Sequence, residues 1–310
     1  MRGVRNTPDG IAVVDTQPDT EGRVRVVVDS CGICGSDVHV AAFGPTRYTL
    51  GHEVSGRLDD GTPVAVLPSV SCGTCDRCRA DQPQQCPSAL GAMYGLTLDG
   101  GMAEEIWVDP ANAVPLPDGL PVGQACLVEP VSVAVHGCNR AGVASGTRVL
   151  VIGAGPIGLA AIAAARSIGA EVDLLANRPR RVEAGERLGA TVATGSGYDI
   201  VLDAAGTQGA MDSAIDLARP GGTVGILGTY WDPVSVGMAL QMKEVTLVPA
   251  FTSGHHHGGR EFVDAAQVVA DTPELFDAMV THHFDLDDAA EAFRIAGDRS
   301  ADAIKVVLHP

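Results

Sequence analysis

The stretch VLVIGAGPIG (149–158) decides the fold of the second half of this chain. Its apolar start predicts a buried strand, and the apolar residues after it predict a helix. The glycines between them follow the pattern Gly-x-Gly-x-x-Gly. Gly153 permits a tight turn, Gly155 lets the backbone approach a pyrophosphate, and Gly158 allows close packing of helix on strand. The stretch therefore predicts a dinucleotide-binding site.

Strand and helix continue to alternate after this stretch. The predicted strand covers 148–152 and the predicted helix covers 157–168. Pro156 and Ile157 lie at the helix N-terminus, which is favourable for phosphate charge. The predicted elements that follow are a strand over 172–176, a helix over 180–188, a strand over 200–203, a helix over 208–217, and strands over 223–227 and 246–249. Such alternation predicts parallel strands joined by crossover helices, in a doubly wound sheet of the Rossmann type.

The residues after the second strand of this sheet select the dinucleotide. NAD-binding folds carry an acidic residue there, about twenty positions after the glycines, which accepts the ribose hydroxyls. Here Asn177 occupies that place, and Arg178, Arg180 and Arg181 follow. A neutral side chain does not repel a 2′-phosphate, and guanidinium groups hold phosphate bidentately. The sequence favours NADP(H) over NAD(H); the alternative is that these arginines only solvate the start of a helix.

Four cysteines within one short polar stretch predict a metal site. They are Cys72, Cys75, Cys78 and Cys86. Two residues separate successive members of the first three, a spacing that lets thiolates converge on a tetrahedral zinc ion. Because four thiolates leave no coordination position open, this zinc is predicted to be structural.

A second group of metal-binding residue types is spread more widely. Cys34 and His52 provide a thiolate and an imidazole, and Glu53 and Glu129 are candidate carboxylate ligands. Three protein ligands of mixed type leave one position for water or substrate, which is typical of catalytic zinc. The histidines of the run His255–His257, and those at His282 and His283, show no evident cysteine or carboxylate partner and are expected to be solvated.

The amino-acid composition argues against some classes of function. The 310 residues carry 21 Lys and Arg against 38 Asp and Glu, a net charge of −17. This charge argues against a nucleic-acid-binding or membrane-binding surface. Hydrophobic residues make up 45% of the chain, enough for a buried core. The first ten residues show no apolar run, so we expect a cytoplasmic protein without a signal peptide.

These motifs occur together in the order of a known family. The chain resembles a zinc-dependent medium-chain dehydrogenase/reductase of the alcohol dehydrogenase superfamily, nearer to its sorbitol and threonine dehydrogenase branch. The matching stretches are GICGSDVH (32–39), GHE (51–53), the cysteine lobe (72–86), DGGMAEE (99–105), LVEPVSVAVHG (127–137), VLVIGAGPIGLAA (149–161), THHFDLDDAAEAF (281–293) and IKVVL (304–308).

The resemblance implies an α/β protein of two domains. A GroES-like, β-rich catalytic domain would comprise residues 1–130 and 256–310 and contain the structural zinc lobe, 72–86. A Rossmann domain over 131–255 would be inserted into it. From residue patterns alone, the first 68 residues are predicted as all β, and the tail as helical before a final strand over 304–308. A homodimer or homotetramer is implied as well.

The resemblance also implies roles for individual residues. Two zinc ions would bind per chain, the catalytic one through Cys34, His52 and either Glu129, which we place first, or Glu53. The remaining implied roles are orientation of the histidine ligand by Asp37, a proton relay through Ser36 and His39, and contact with the cofactor phosphates by Lys305.

The predicted function is hydride transfer between NADP(H) and an alcohol or carbonyl substrate. A polyol, cyclitol, amino-alcohol or sugar-derived secondary alcohol is expected. Two alternatives are an NAD-dependent polyol dehydrogenase of the same family and a non-catalytic protein that binds zinc and a dinucleotide. Because Ser36 and His39 are present beside the ligands, the non-catalytic alternative is disfavoured.

Overall fold

The structure, a computed structural model, describes residues 1–89 and 91–310. Its strands are β1 (Arg2–Thr7), β2 (Gly10–Asp15), β3 (Val24–Ile33), β4 (Glu53–Leu58), β5 (Pro63–Val66), β6 (Glu105–Val108), β7 (Ala113–Pro115), β8 (Arg148–Ile152), β9 (Glu171–Leu175), β10 (Thr191–Val192), β11 (Tyr198–Asp203), β12 (Ala218–Ile226), β13 (Thr246–Pro249), β14 (His255–His256), β15 (Gly259–Arg260), β16 (Val280–Asp285) and β17 (Lys305–His309).

Helices connect and flank these strands. They are α1 (Gly35–Ala42), α2 (Asp76–Arg79), α3 (Val128–Ala141), α4 (Pro156–Ser167), α5 (Pro179–Arg187), α6 (Gln208–Leu217), α7 (Met238–Lys243), α8 (Glu261–Asp271), α9 (Glu274–Met279) and α10 (Ala289–Gly297). Among the residues described, none of these helices is both long and apolar enough to cross a bilayer.

The chain divides into two compact units. The first comprises Met1–Glu129, His257–Ala270 and Val280–Pro310, and the second comprises Pro130–His256 and Asp271–Met279. The segment Asp271–Met279 had been predicted in the catalytic domain. It groups with the second unit because α9 packs against α4 and α5.

The first unit is built on a mostly antiparallel sheet. Its strand order is β16-β17-β3-β4-β5-β7, with β6 paired to β3 as well. β17 runs antiparallel to β3, with Val306 opposite Ile33, so the end of the chain lies beside β3. Val26, Val54 and Leu308 are almost completely buried in the core of this unit. The sheet therefore joins residues from both ends of the chain.

Two elements of the first unit differ from the sequence prediction. The helix α1 interrupts the segment predicted as all β; Asp37 caps it by accepting a hydrogen bond from the Cys34 backbone N–H. The tail was predicted to be helical up to its last strand, but it contains β16, which pairs in parallel with β17. Residues 280–285 form a strand because they pair with β17, and such pairing cannot be recognised from a local sequence pattern.

The second unit contains the predicted doubly wound sheet. Its strand order is β10-β9-β8-β11-β12-β13, and every pairing is parallel. The predicted strand over 148–152 is β8, and α4 follows it after the glycine turn. Leu150, Val201 and Val224 are fully buried in the core of this unit. The prediction of a β-rich unit combined with a Rossmann-type unit is confirmed.

Candidate functional site

Neighbouring strand ends bring candidate zinc ligands together in the first unit. β3 ends at Ile33 and β4 begins at Glu53, and Gly32 pairs with Glu53 across these antiparallel strands. Cys34 and His52 therefore leave the sheet at the same place. The Cys34 Sγ, a His52 ring nitrogen and a Glu53 carboxylate oxygen lie within 4.8 Å of one another. A thiol, an imidazole and a carboxylate form a donor set that suits zinc.

The His52 ring lies between a carboxylate and a hydroxyl. Its Nδ1 lies 3.5 Å from Asp37 Oδ1, and its Nε2 lies 3.4 Å from Ser36 Oγ. Burial by itself lowers the pKa of His52, but Asp37 and Cys34 outweigh this effect and raise the pKa well above its usual value. A carboxylate behind one ring nitrogen directs the other nitrogen toward a metal. Asp37 thus lies where the sequence predicted it, behind the imidazole.

The structure places Lys305 in this cluster. Its Nζ donates to both carboxylate oxygens of Glu53, at 2.6 and 2.7 Å, and to the Ile33 carbonyl at 3.1 Å. Lys305 is 2% exposed and Glu53 is 1% exposed. Burial disfavours the ammonium, but the charge of Glu53 outweighs it and raises the pKa of Lys305. The Lys305 ammonium is therefore buried and neutralises Glu53, an arrangement that does not present it to the phosphates of a cofactor as the resemblance implies.

The second candidate carboxylate is Glu129, at the start of α3. Its side chain is buried, and burial raises its pKa to about 7, an effect that His52 and Lys305 partly oppose. The close cluster among the described residues contains Glu53 and not Glu129. A cation bound nearby would stabilise the Glu129 carboxylate, which burial disfavours.

The proposed relay residues share one face of α1. Ser36 and His39 are three positions apart in this helix, which places them on neighbouring turns. The exposed His39 ring has its Nδ1 2.7 Å from the Gly35 carbonyl, so Nδ1 carries a proton and donates to that oxygen. Ser36 contacts His52 within the cluster of candidate zinc ligands, and His39 lies on the solvent side.

The cysteine lobe has the dimensions of a zinc site. The Sγ atoms of Cys72, Cys75, Cys78 and Cys86 lie within 4.8 Å of one another. Two of the Sγ–Sγ distances, Cys75–Cys78 and Cys72–Cys86, are 3.6 Å. Tetrahedral zinc with bonds of about 2.3 Å holds its sulfur ligands about 3.8 Å apart. The Cys72 backbone N–H donates to Cys86 Sγ at 3.4 Å and lowers the pKa of Cys86 to about 6, which favours the thiolate.

In the glycine turn of the second unit, the fold requires two of the three glycines. Gly153 has a φ of +95°, and a Cβ on Gly158 would lie 1.8 Å from the Gly153 carbonyl oxygen. The fold therefore needs glycine at both positions. Gly155 has an ordinary φ of −79°, and a Cβ there would meet only Arg181 Nη1, at 4.0 Å. The open space at the position of a Gly155 Cβ, at the start of α4, is compatible with the predicted approach of a pyrophosphate to this backbone.

The residues that follow β9 differ in their exposure and in what they contact. Asn177 is exposed, and Arg178 is half-buried at the N-cap of α5. Arg181, one helical turn further, reaches the space above Gly155. The sequence groups Arg178, Arg180 and Arg181 as candidate phosphate ligands, and of these three Arg181 is the one beside Gly155.

Comparison with known proteins identifies the family of this chain. Residues 20–118 match the alcohol dehydrogenase GroES-like domain, and residues 156–270 match the zinc-binding dehydrogenase domain. The chain is 30% identical to L-galactonate-5-dehydrogenase of Escherichia coli K12, over 94% of this chain and 92% of that protein. The chain belongs to the zinc-dependent medium-chain dehydrogenases/reductases.

Other members of the zinc-dependent medium-chain dehydrogenases/reductases are similar over nearly the same length. Sorbitol dehydrogenase of Bacillus subtilis is 28% identical, over 93% of this chain and 90% of that protein. A crystal structure of a zinc-binding dehydrogenase from Sinorhizobium meliloti bound to NADP superimposes with a TM-score of 0.87 and 27% identity, covering 100% of this chain and 99% of that one. The protein is therefore an NAD(P)-dependent zinc alcohol dehydrogenase/reductase.

Proposed function

We propose that the protein transfers a hydride between NADP(H) and a polyol or sugar-derived secondary alcohol or its ketone. The observation that carries this proposal is the close approach of Cys34, His52 and a glutamate, together with a glycine turn whose middle glycine the fold does not require. The names of the relatives, L-galactonate-5-dehydrogenase and sorbitol dehydrogenase, support hydroxyl-rich substrates.

Cys34 and His52 would hold the catalytic zinc together with one glutamate. When bound there, zinc supplies a Lewis acid that lowers the pKa of a substrate hydroxyl or polarises a carbonyl. We place Glu129 first as the third ligand, because both oxygens of Glu53 already accept hydrogen bonds from Lys305. Glu53 is the second choice, since it is the glutamate in the close cluster.

Zinc content separates these two glutamates. Glu129→Gln is expected to lower the zinc retained after dialysis to about one ion per chain, the structural one, whereas Glu53→Gln is expected to retain two. The opposite pattern would make Glu53 the ligand. The cysteine lobe is unchanged in both variants and serves as the internal reference.

Ser36 and His39 carry the substrate proton in this proposal. Ser36 lies at the ligand His52, and His39 lies at the surface one turn along α1, so together they lead from the site to solvent. Ser36→Ala is expected to lower kcat by about 10²-fold or more while zinc content stays constant. Unchanged turnover with the preferred substrate would contradict the relay.

Arg178 provides the positive charge for the 2′-phosphate of NADP(H), whereas Arg181 lies beside Gly155, at the position proposed for the pyrophosphate that both dinucleotides share. Arg178→Asp is expected to weaken NADPH binding at least about tenfold in a fluorescence titration, and NADH binding much less. Arg181→Gln should weaken the binding of both dinucleotides. Arg180→Gln, which alters an exposed arginine of the same helix turn, is the matched control. Equal losses of NADPH and NADH binding in Arg178→Asp would remove the argument for NADP(H).

The substrate class is tested directly with purified enzyme. Polyols, aminocyclitols and simple secondary alcohols are assayed with NADP⁺ and NAD⁺ at the nicotinamide absorbance. The proposal expects turnover of hydroxyl-rich secondary alcohols with NADP⁺ and two zinc ions per chain. We also propose a homodimer or homotetramer, which sedimentation equilibrium measures.

A further inference from the structure

Two histidines far apart in the sequence meet at the edge of the first unit's sheet. His283 Nδ1 lies 3.0 Å from His309 Nε2, and the two rings are inclined by only 19°. β16 is the edge strand of this sheet, and His283 is exposed on it. The sequence pattern around His283 does not reveal this contact, because His309 is on β17.

The strand register places a carboxylate on the same face. Asp285 lies opposite His309 across the parallel strands β16 and β17. Since side chains alternate along a strand, His283 and Asp285 project from one face. Both are exposed. A carboxylate on the same face as the two imidazoles favours a bound cation.

The His309 ring is oriented as metal-binding histidines are. Its Nδ1 lies 3.3 Å from the Asp29 backbone carbonyl, an oxygen that can only accept a hydrogen bond. His309 therefore carries its proton on Nδ1, and its Nε2 presents a lone pair toward His283. Metal-binding histidines characteristically donate their other N–H to a carbonyl or carboxylate in this way.

The distance between the two nitrogens suits a single metal ion. Two ligands in adjacent positions of an octahedral or square-planar ion, each about 2.1 Å from the metal, are about 3.0 Å apart. Imidazole is a good ligand for Ni²⁺, Cu²⁺ and Zn²⁺, and square-planar or tetragonal nitrogen sites favour Cu²⁺ or Ni²⁺.

We propose that His283 and His309 form a two-histidine site for a divalent transition-metal ion, separate from the catalytic cluster and the cysteine lobe. The ion replaces the hydrogen bond between the rings. The proton on His283 Nδ1 moves through solvent to Nε2, so both rings stay neutral and each provides one lone pair. The broad χ2 torsion of histidine lets the rings turn until the lone pairs converge. Water completes the coordination.

Calorimetric titration of NiCl₂ into the zinc-loaded enzyme tests this site. Residues 255–257 are replaced by glutamine in every variant, so that this histidine run does not contribute. The background protein is expected to bind one Ni²⁺ per chain. His283→Gln and His309→Gln should each weaken binding at least about tenfold, because one imidazole no longer chelates. His282→Gln, which alters a neighbour on the other face of β16, should leave the affinity unchanged.

The result that would overturn the site is an affinity that neither His283→Gln nor His309→Gln changes, or one that His282→Gln lowers equally. Zinc content is measured after each titration to show that Ni²⁺ has not displaced zinc from the other sites. Because either variant alone removes half of the chelate, one well-folded variant suffices. A Cu²⁺ electron paramagnetic resonance spectrum with hyperfine coupling from two nitrogens is expected for the background protein.

Discussion

Replacing Lys305 by methionine removes the only ammonium that contacts Glu53 among the described residues. The substitution keeps the length of the buried side chain but deletes two hydrogen bonds to a carboxylate that is 1% exposed. Removing one partner of such a pair leaves an uncompensated buried charge. The cost is about 3–5 kcal/mol of unfolding free energy.

This cost is large enough to measure by thermal unfolding. At roughly 2–4 °C per kcal/mol for a unit of this size, Lys305→Met should lower the Tm by at least about 6 °C. Glu53→Gln removes the charge at the other end. The double variant should therefore be more stable than the sum of the two single changes predicts, by about 2 kcal/mol.

The chain offers a matched control for this experiment. Lys243, the other lysine of the chain, donates from Nζ to the backbone carbonyls of Ile215 and Ala218 at 3.0 Å in the second unit. Lys243→Met should show no coupling with Glu53→Gln. A Tm of Lys305→Met within about 2 °C of the parent, or a double variant with strictly additive losses, would refute the buried ion pair as an energetic unit.

Three further predictions rest on local geometry. Gly155→Ala should fold normally yet bind NADPH at least about tenfold more weakly, whereas Gly158→Ala should fail to fold because its Cβ meets a carbonyl oxygen at 1.8 Å. Circular dichroism measures the folding of both variants, and cofactor titration measures their binding. Unimpaired binding by Gly155→Ala would contradict the pyrophosphate site. A strong chelator should unfold the Cys72–Cys86 lobe and increase its proteolysis, since few apolar contacts replace the metal; an unchanged digestion pattern after zinc loss would contradict this. Tyr230→Phe deletes the hydroxyl that donates to the fully buried Asp203 and should cost about 1–3 kcal/mol in chemical denaturation; an unchanged midpoint would show that the bond contributes nothing.

Local sequence patterns were sufficient to predict the parts of the structure that depend on residues close together in the chain. The strand over 148–152, the glycine turn and the start of α4 follow from apolar residues and glycines within eleven positions. The cysteine lobe is similar, because residues 72–86 form one short loop whose spacing already dictates which thiols converge. In both cases the backbone conformation is set by residues next to one another.

Tertiary structure decided which distant side chains became partners. Lys305 and Glu53 are 252 positions apart, and their ion pair exists because β17 inserts beside β3, which pairs with β4. His283 meets His309 only through the register of two parallel strands, one of which a helical pattern had concealed. A shift of one residue in such a register turns every side chain to the opposite face of the sheet. Residue types and their spacing therefore determined which chemical groups this chain offers. Strand pairing determined which charged side chains neutralise one another beside those groups.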